Sequence, residues 1–178
     1  RDMQIKTASN RIQFTSYDIP YTLDNLLNMR IIGNILSTRY LESIREREGG
    51  SYGVGCGGGM NNKPVDMAYL IMQFDTDPDK QEKLIKIIYD EVYEIIANGP
   101  LASDLQKEKE SMLKDYDENI EKNGWWHNTA LPCYYRLGLD YVHDYRPAVE
   151  RISAESVKKL LKKLVESGNV FEVVMLPE

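Results

Sequence analysis

A long run of periodic apolar residues constrains the fold of this chain more than any other feature. Apolar side chains recur at intervals of three to five residues from Leu23 to Ile44, which is the spacing of one face of an α-helix. Thr22 stands where an N-cap is favoured, and Gly49-Gly50 supplies a break at the other end. We therefore predict one long amphipathic helix between these two signals.

Short alternating segments flank the long helix and predict strands. Residues 11–19 alternate apolar and polar side chains and stop at Pro20. Residues 51–59 carry five glycines but keep an alternating apolar set, and residues 67–76 alternate again after a loop-forming connection. The last two segments are expected to form an antiparallel hairpin, with strand 11–19 at an edge of the sheet.

The second half of the chain predicts helices and one final strand. Helices are expected from Pro78 to Asn98, from Ser103 to Lys122, and after the N-cap Ser153. The aromatic segment 125–141 is expected to be helical with a break near Pro132. Residues 170–176 form a continuous apolar run, which suggests a central strand covered on both faces. This order predicts a single α+β domain over 1–178, an antiparallel sheet with long helices packed on it.

Composition excludes several classes of partner. The 178 residues include 22 Lys or Arg against 28 Asp or Glu, a formal net charge of −6, and this balance argues against a nucleic-acid partner. The content of 42% hydrophobic and 28% charged residues is that of a globular chain. No apolar run approaches the ~20 residues of a membrane span, so the chain is expected to be soluble.

We expect no targeting segment within this part of the protein. The first residue is Arg1, and no charged region followed by an apolar stretch lies near it. We expect the chain to be a piece of a longer protein, and the sequence leaves the compartment undecided.

The usual patterns for metal or nucleophilic catalysis are missing from the sequence. A zinc hydrolase needs two imidazoles one helical turn apart and a carboxylate, but the two histidines, His127 and His143, are far apart. Cys56 and Cys133 form no C-x-x-C pair, and no G-x-S-x-G motif occurs. We therefore predict that this chain alone binds no metal and supplies no nucleophile. The histidines are expected to cap an aromatic cluster between Trp125 and Tyr145.

A glycine pattern in the second strand resembles a phosphate-binding motif but has the wrong context. G-x-G-x-x-G occurs at Gly53, Gly55 and Gly58. A dinucleotide site needs this pattern between a strand and a following helix, whereas here it follows a helix and leads into a hairpin. The glycines are expected to allow close backbone packing or to offer a flat surface to another chain.

The end of the long helix carries the most specific pattern in the chain. Arg45 lies in the last turn, Gly49-Gly50 follows, and Tyr52 opens the glycine-rich strand seven residues after Arg45. Local physics explains part of this, because arginines are favoured at helix C-termini. Tyr52 also shares strand parity with Val54, so a core tyrosine is the simpler interpretation of that position alone.

The whole arrangement resembles the C-terminal half-domain of the pitrilysin/insulysin family of zinc metallopeptidases. In that family a helix ends in a turn similar to Leu- or Ile-Arg-x-Glu, and a tyrosine follows on a strand seven residues after the arginine. Arg45 and Tyr52 match this spacing, whereas Arg47 does not. Further matching segments occur in the expected order at residues 22–25, 74–78, 98–100 and 173–177.

The resemblance implies a peptidase built from two halves. The zinc ion would be held by an H-x-x-E-H helix on an N-terminal half, in the same or a partner chain, and this chain would bind no metal. Its own contribution would be to close over a peptide or an unfolded polypeptide. Arg45 would orient the peptide backbone, and Tyr52 would stabilise the developing oxyanion.

Two other functions remain open from the sequence. The chain could be a non-catalytic member of the same fold that serves as a structural partner. It could also be a free-standing interaction module that uses its glycine-rich hairpin as a docking edge. An H-x-x-E-H helix elsewhere in the same protein would favour the enzyme.

Overall fold

The computed structural model describes residues 6–47 and 53–177, and for residues 45–47 it describes the backbone only. The described residues form an α+β domain around a four-stranded antiparallel sheet with the strand order β2-β3-β1-β4. This confirms the predicted fold class. The strands are β1 (Ala8–Ser16), β2 (Val54–Asn61), β3 (Met67–Thr76) and β4 (Asn169–Met175).

The helices occur along the chain in nearly the predicted order. The long helix α1 continues into a π-helical turn, a short 3₁₀ turn precedes α2, and a second π-helical turn links α4 to α5. The bounds are α1 (Leu23–Tyr40), the first π-turn (Leu41–Arg47), the 3₁₀ turn (Pro78–Lys80), α2 (Gln81–Asn98), α3 (Ala102–Ile120), α4 (Asn123–Trp125), the second π-turn (Trp126–Ala130), α5 (Leu131–Leu137), α6 (Tyr145–Arg151) and α7 (Ala154–Glu166).

Helix α1 is the centre of the domain. Thr22 caps it as predicted, because its Oγ1 accepts a hydrogen bond from the Asn25 backbone N–H at 3.1 Å. The helix packs against β2 on one side and against α2, α3, α6 and α7 on the others. Its side chains are therefore buried nearly all round, Leu27, Ile31 and Ile32 completely. The predicted amphipathic helix is thus a core helix.

Two glycines allow α1 to approach β2 closely. A Cβ atom built on Gly58 would lie 1.9 Å from the Met29 carbonyl oxygen, and one built on Gly33 would lie 2.2 Å from the Gly58 nitrogen. Both contacts are far inside van der Waals distance and involve backbone atoms, which cannot move aside. Gly58 therefore serves close backbone packing.

The sheet order corrects two predictions. β4 is an edge strand paired only with β1 among the described strands, and β1 is central because it pairs with both β3 and β4. The apolar side chains of β4 remain exposed; Val170, Phe171 and Met175 keep half or more of their surface. A continuous apolar run indicates a strand of this length but cannot tell a covered strand from an edge one.

The aromatic segment is helical as far as Leu137 and changes from a π-helical turn to α5 next to Pro132, but the two histidines do not behave as predicted. Pro132 lies in the first turn of α5, where a missing backbone donor is tolerated. His127 and His143 are both exposed, so neither caps the aromatic cluster. The cluster itself is real, since Tyr116 stacks on Tyr145 with ring centroids 4.7 Å apart and meets Trp125 edge-on at 5.7 Å.

Candidate functional site

One face of the sheet is covered by helices and the other is open. Ile12, Leu70 and Met72 point into the core and are fully buried. On the opposite face Gly55, Gln73, Arg11 and Val173 lie side by side across the four strands, and all four are exposed. At about 4.8 Å between neighbouring strands, this open face is roughly 15 Å wide.

The open face of β2 carries bare backbone. Gly55 and Gly57 alternate with Val54 and Cys56, whose side chains pack against the core. A Cβ atom at Gly57, or at the preceding Gly53, would meet no atom within 4 Å. β2 is also an edge of the described sheet. The strand therefore combines a smooth face with backbone groups that another chain could approach closely.

A shallow pocket lies where β2 begins. It has a volume of about 420 Å³, and Gly53, Arg11, Asp75 and Met175 are among its lining residues. Asp75 accepts a hydrogen bond from the Ser9 hydroxyl. One of its lining residues, Gly53, directly follows position 52 in the sequence. The pocket brings one cation, one carboxylate and apolar surface together at the end of the open face.

The end of α1 is firmly anchored. Tyr40 and Ile44 are fully buried, and the Tyr40 hydroxyl donates to the Ile88 carbonyl at 3.1 Å. Burial raises the pKa of Tyr40 well above its usual value, so the hydroxyl remains a neutral donor. Arg39 lies 3.2 Å from the Glu91 carboxylate on α2. These contacts fix the helix just before the π-helical turn.

One of the two predicted site residues, Arg45, belongs to the turn that follows this anchored end. The backbone of Arg45 and Arg47 lies in the π-helical turn Leu41–Arg47, and Tyr52 lies outside the described residues. π-Helical turns are frequent at functional sites, and the sequence pattern did not indicate this one. The roles of Arg45 and Tyr52 therefore remain predictions.

The cysteines are protonated structural residues. Burial raises the pKa of Cys56 to about 12, and burial likewise raises the pKa of Cys133. A nucleophilic cysteine needs a lowered pKa. Burial thus favours the unreactive thiol form of both cysteines.

The described residues contain no group of histidine, cysteine and carboxylate side chains that could hold a metal ion. His143 instead pairs with Asp140, with Nδ1 2.8 Å from Oδ2. This hydrogen bond raises the pKa of His143, and the hydrogen bonds from His143 lower the pKa of Asp140. The described side chains thus do not fit a zinc site.

We predict that the purified, untagged chain retains no stoichiometric zinc. A zinc site needs several preorganised donors, and the two histidines lie far apart in sequence. Elemental analysis after dialysis should find far less than one zinc per chain. About one tightly held zinc would contradict the assignment of the metal to another half of the protein.

Across the described helices, none is long and apolar enough to cross a membrane.

A sequence comparison identifies the family to which this α+β domain belongs. The family model described as the peptidase M16 inactive domain matches residues 1–112, which include Arg45 and Tyr52. This chain belongs to the peptidase M16 inactive-domain family. This match confirms the predicted relationship to the C-terminal half-domain of a peptidase family.

Solved structures share the fold over nearly the whole chain. The periplasmic protease PqqL from Escherichia coli superposes with a TM-score of 0.85 at 15% identity, covering 99% of this chain and 20% of PqqL. A peptidase M16 inactive domain from Pseudomonas fluorescens gives 0.77 at 19% identity, covering 99% of this chain and 42% of that one. A candidate zinc protease from Bordetella pertussis Tohama I gives a TM-score of 0.74 at 12% identity, covering 97% of this chain and 94% of that protein.

This chain spans about a fifth of PqqL and about two fifths of the Pseudomonas protein. No curated protein matches the sequence. At these identities the structural matches establish the fold.

Proposed function

We propose that this chain is the substrate-clamping half-domain of a zinc metalloendopeptidase. Residues 1–178 would form one domain of a longer protein or of a two-chain enzyme, and the zinc would be held by the other half. The observation that carries the proposal is the inactive-domain match across the Arg45–Tyr52 segment. The candidate zinc protease from Bordetella, whose fold is shared, supports the choice of metal.

The open sheet face supports a role in holding polypeptide. An extended peptide exposes backbone donors and acceptors on both sides and can add to the edge of a sheet. Gly55 and Gly57 leave the open face of β2 without side chains, so a substrate strand could lie against it without a clash. β2 begins at Val54, so its edge also lies close in sequence to Tyr52.

Arg45 and Tyr52 would contribute electrostatic stabilisation. A guanidinium offers several fixed donors that can hold a peptide carbonyl in register. A phenol hydroxyl donates one hydrogen bond, which strengthens as negative charge develops on the scissile carbonyl oxygen. Both groups would act as donors, and neither would need to change its protonation state.

Reconstitution tests this proposal. We expect neither this chain nor the zinc-binding half to cleave an unfolded, fluorescently labelled polypeptide alone, and we expect the mixture to cleave it. Cleavage by this chain alone, or full activity of the zinc-binding half without it, would contradict the proposed division of labour. A mixture that associates but stays inactive would favour the non-catalytic structural partner.

A further inference from the structure

A basic cleft lies at the end of β2 that leads into the β2–β3 hairpin. It has a volume of about 440 Å³ and opens between the first half of α1, the β2–β3 hairpin and α5. We call it the hairpin cleft. The lining side chains that carry its chemistry are Arg30, Lys63, Arg136, Tyr21, Tyr69 and Tyr141.

The charge of the hairpin cleft is opposite to that of the chain. Arg30, Lys63 and Arg136 line it, and its described lining includes no aspartate or glutamate, although the whole chain has a net charge of −6. Asp66, whose Oδ2 accepts a hydrogen bond from the Tyr21 backbone N–H at 2.8 Å, adds one negative charge beside these three positive ones. The cleft is therefore a local concentration of positive charge.

The three cations are available to a ligand. Within residues 6–47 and 53–177, no salt bridge joins Arg30, Lys63 or Arg136 to a carboxylate, and all three are exposed. Arg146 and Arg151 behave differently, because each pairs with an aspartate. These two exposed arginines thus have acidic partners, whereas no described salt bridge involves Arg30 or Arg136.

A phenol group orients one of the three cations and adds a neutral donor. Arg30 Nη1 lies 3.1 Å from the Tyr141 hydroxyl, which fixes the guanidinium at the wall of the cleft. Tyr141 is nearly fully buried, and burial raises its pKa, so it remains protonated. Guanidinium and phenol donors of this kind form the charge-assisted hydrogen bonds that bind carboxylates.

The hairpin cleft adjoins β2, the strand that follows the Arg45–Tyr52 segment in the sequence. Gly58, Gly59 and Met60 line it, whereas Gly53 lines the pocket where β2 begins. At about 3.3 Å per residue, Gly53 and Gly59 are roughly 20 Å apart along the strand. An extended chain of about six residues laid along β2 would connect the two ends.

We propose that the hairpin cleft binds a carboxylate of a polypeptide lying along the edge of β2. The carboxylate would come from an acidic side chain or from the C-terminus of that polypeptide. That this polypeptide is a substrate rests on the proposed function. The binding of a carboxylate rests only on the charges and donors of the cleft.

Fluorescence anisotropy with this chain and labelled peptides tests the proposal. Three peptides of equal length are compared: one with central glutamates and an amidated C-terminus, one with glutamines in their place, and the glutamine peptide with a free C-terminus. We expect at least one carboxylate peptide to bind about tenfold or more tightly than the amidated glutamine peptide, because charged hydrogen bonds are the strong ones. Whether the glutamate or the free terminus gives the gain identifies the source.

Variants locate the binding site. Lys63→Gln/Arg136→Gln should abolish most of the gain, and added salt should weaken binding. Lys107→Gln/Lys114→Gln is the matched control, since it removes the same charge from exposed positions on α3. Circular dichroism checks that both variants are folded. Equal binding of all three peptides, or equal losses in the two double variants, would overturn the proposal.

The peptide experiment is independent of catalysis. Discrimination between carboxylate and amide peptides without activity in the reconstituted enzyme would leave the cleft assignment standing and contradict the proposed function. Activity without such discrimination would contradict the cleft assignment and leave the proposed function standing.

Discussion

Tyr52→Phe should lower kcat for peptide cleavage about 10²- to 10³-fold in the parent protein or in the reconstituted enzyme. Removing a single donor to an oxyanion typically has an effect of this size. The phenylalanine keeps the ring, so packing is preserved and only the hydroxyl is lost. Steady-state cleavage of a fluorogenic peptide gives kcat and KM separately.

A matched tyrosine variant shows whether this effect is specific. Tyr93→Phe removes a hydroxyl from an exposed ring on α2 and should leave kcat unchanged. If Tyr52→Phe is as active as Tyr93→Phe, position 52 is a structural tyrosine and the oxyanion role is wrong. If Tyr52→Phe lowers Tm together with kcat, this result would also indicate a structural tyrosine.

Gly58→Ala should destabilise the domain by roughly 3 kcal/mol, at the upper end of the cost of overpacking a core. Its new Cβ would lie 1.9 Å from the Met29 carbonyl oxygen, so α1 and β2 would have to separate. For a domain of this size, that loss lowers Tm by about 6 to 12 °C. Thermal unfolding followed by circular dichroism measures it.

The neighbouring glycine provides the control for this stability effect. Gly57 belongs to the same strand, has no positive φ, and a Cβ there would meet nothing within 4 Å. Gly57→Ala should therefore leave Tm within a degree or two, since alanine also reduces the freedom of the unfolded chain. Equal melting temperatures for the two variants would show that α1 and β2 do not approach as closely as described.

The elements that the sequence predicts best are those with strong local signals. Helix α1 follows from its apolar spacing and from Thr22, and β3 begins at Met67 and ends at Thr76 as predicted. The position of β4 in the sheet was not predictable from its apolar run, because exposure depends on which strands pair with it. The short helix α6 was missed, since seven residues give little periodicity.

The same distinction applies to the candidate site. Arg45 and Tyr52 could be proposed because they lie close in sequence at a helix end, where spacing carries information. The hairpin cleft could not, because Arg30, Lys63 and Arg136 come from α1, a hairpin loop and α5. Only the tertiary packing of these three segments brings their charges together.

The most direct test of the account compares two arginines in one helical turn. Arg45 and Arg47 both lie in the π-helical turn Leu41–Arg47, so both share any effect of charge at a helix end. We predict that Arg45→Ala lowers kcat/KM for peptide cleavage about 10- to 100-fold, the value of a hydrogen bond from a charged group, and that Arg47→Ala changes it less than about twofold. Indistinguishable kcat/KM values for the two folded variants would contradict the assignment of Arg45 to the polypeptide-binding site.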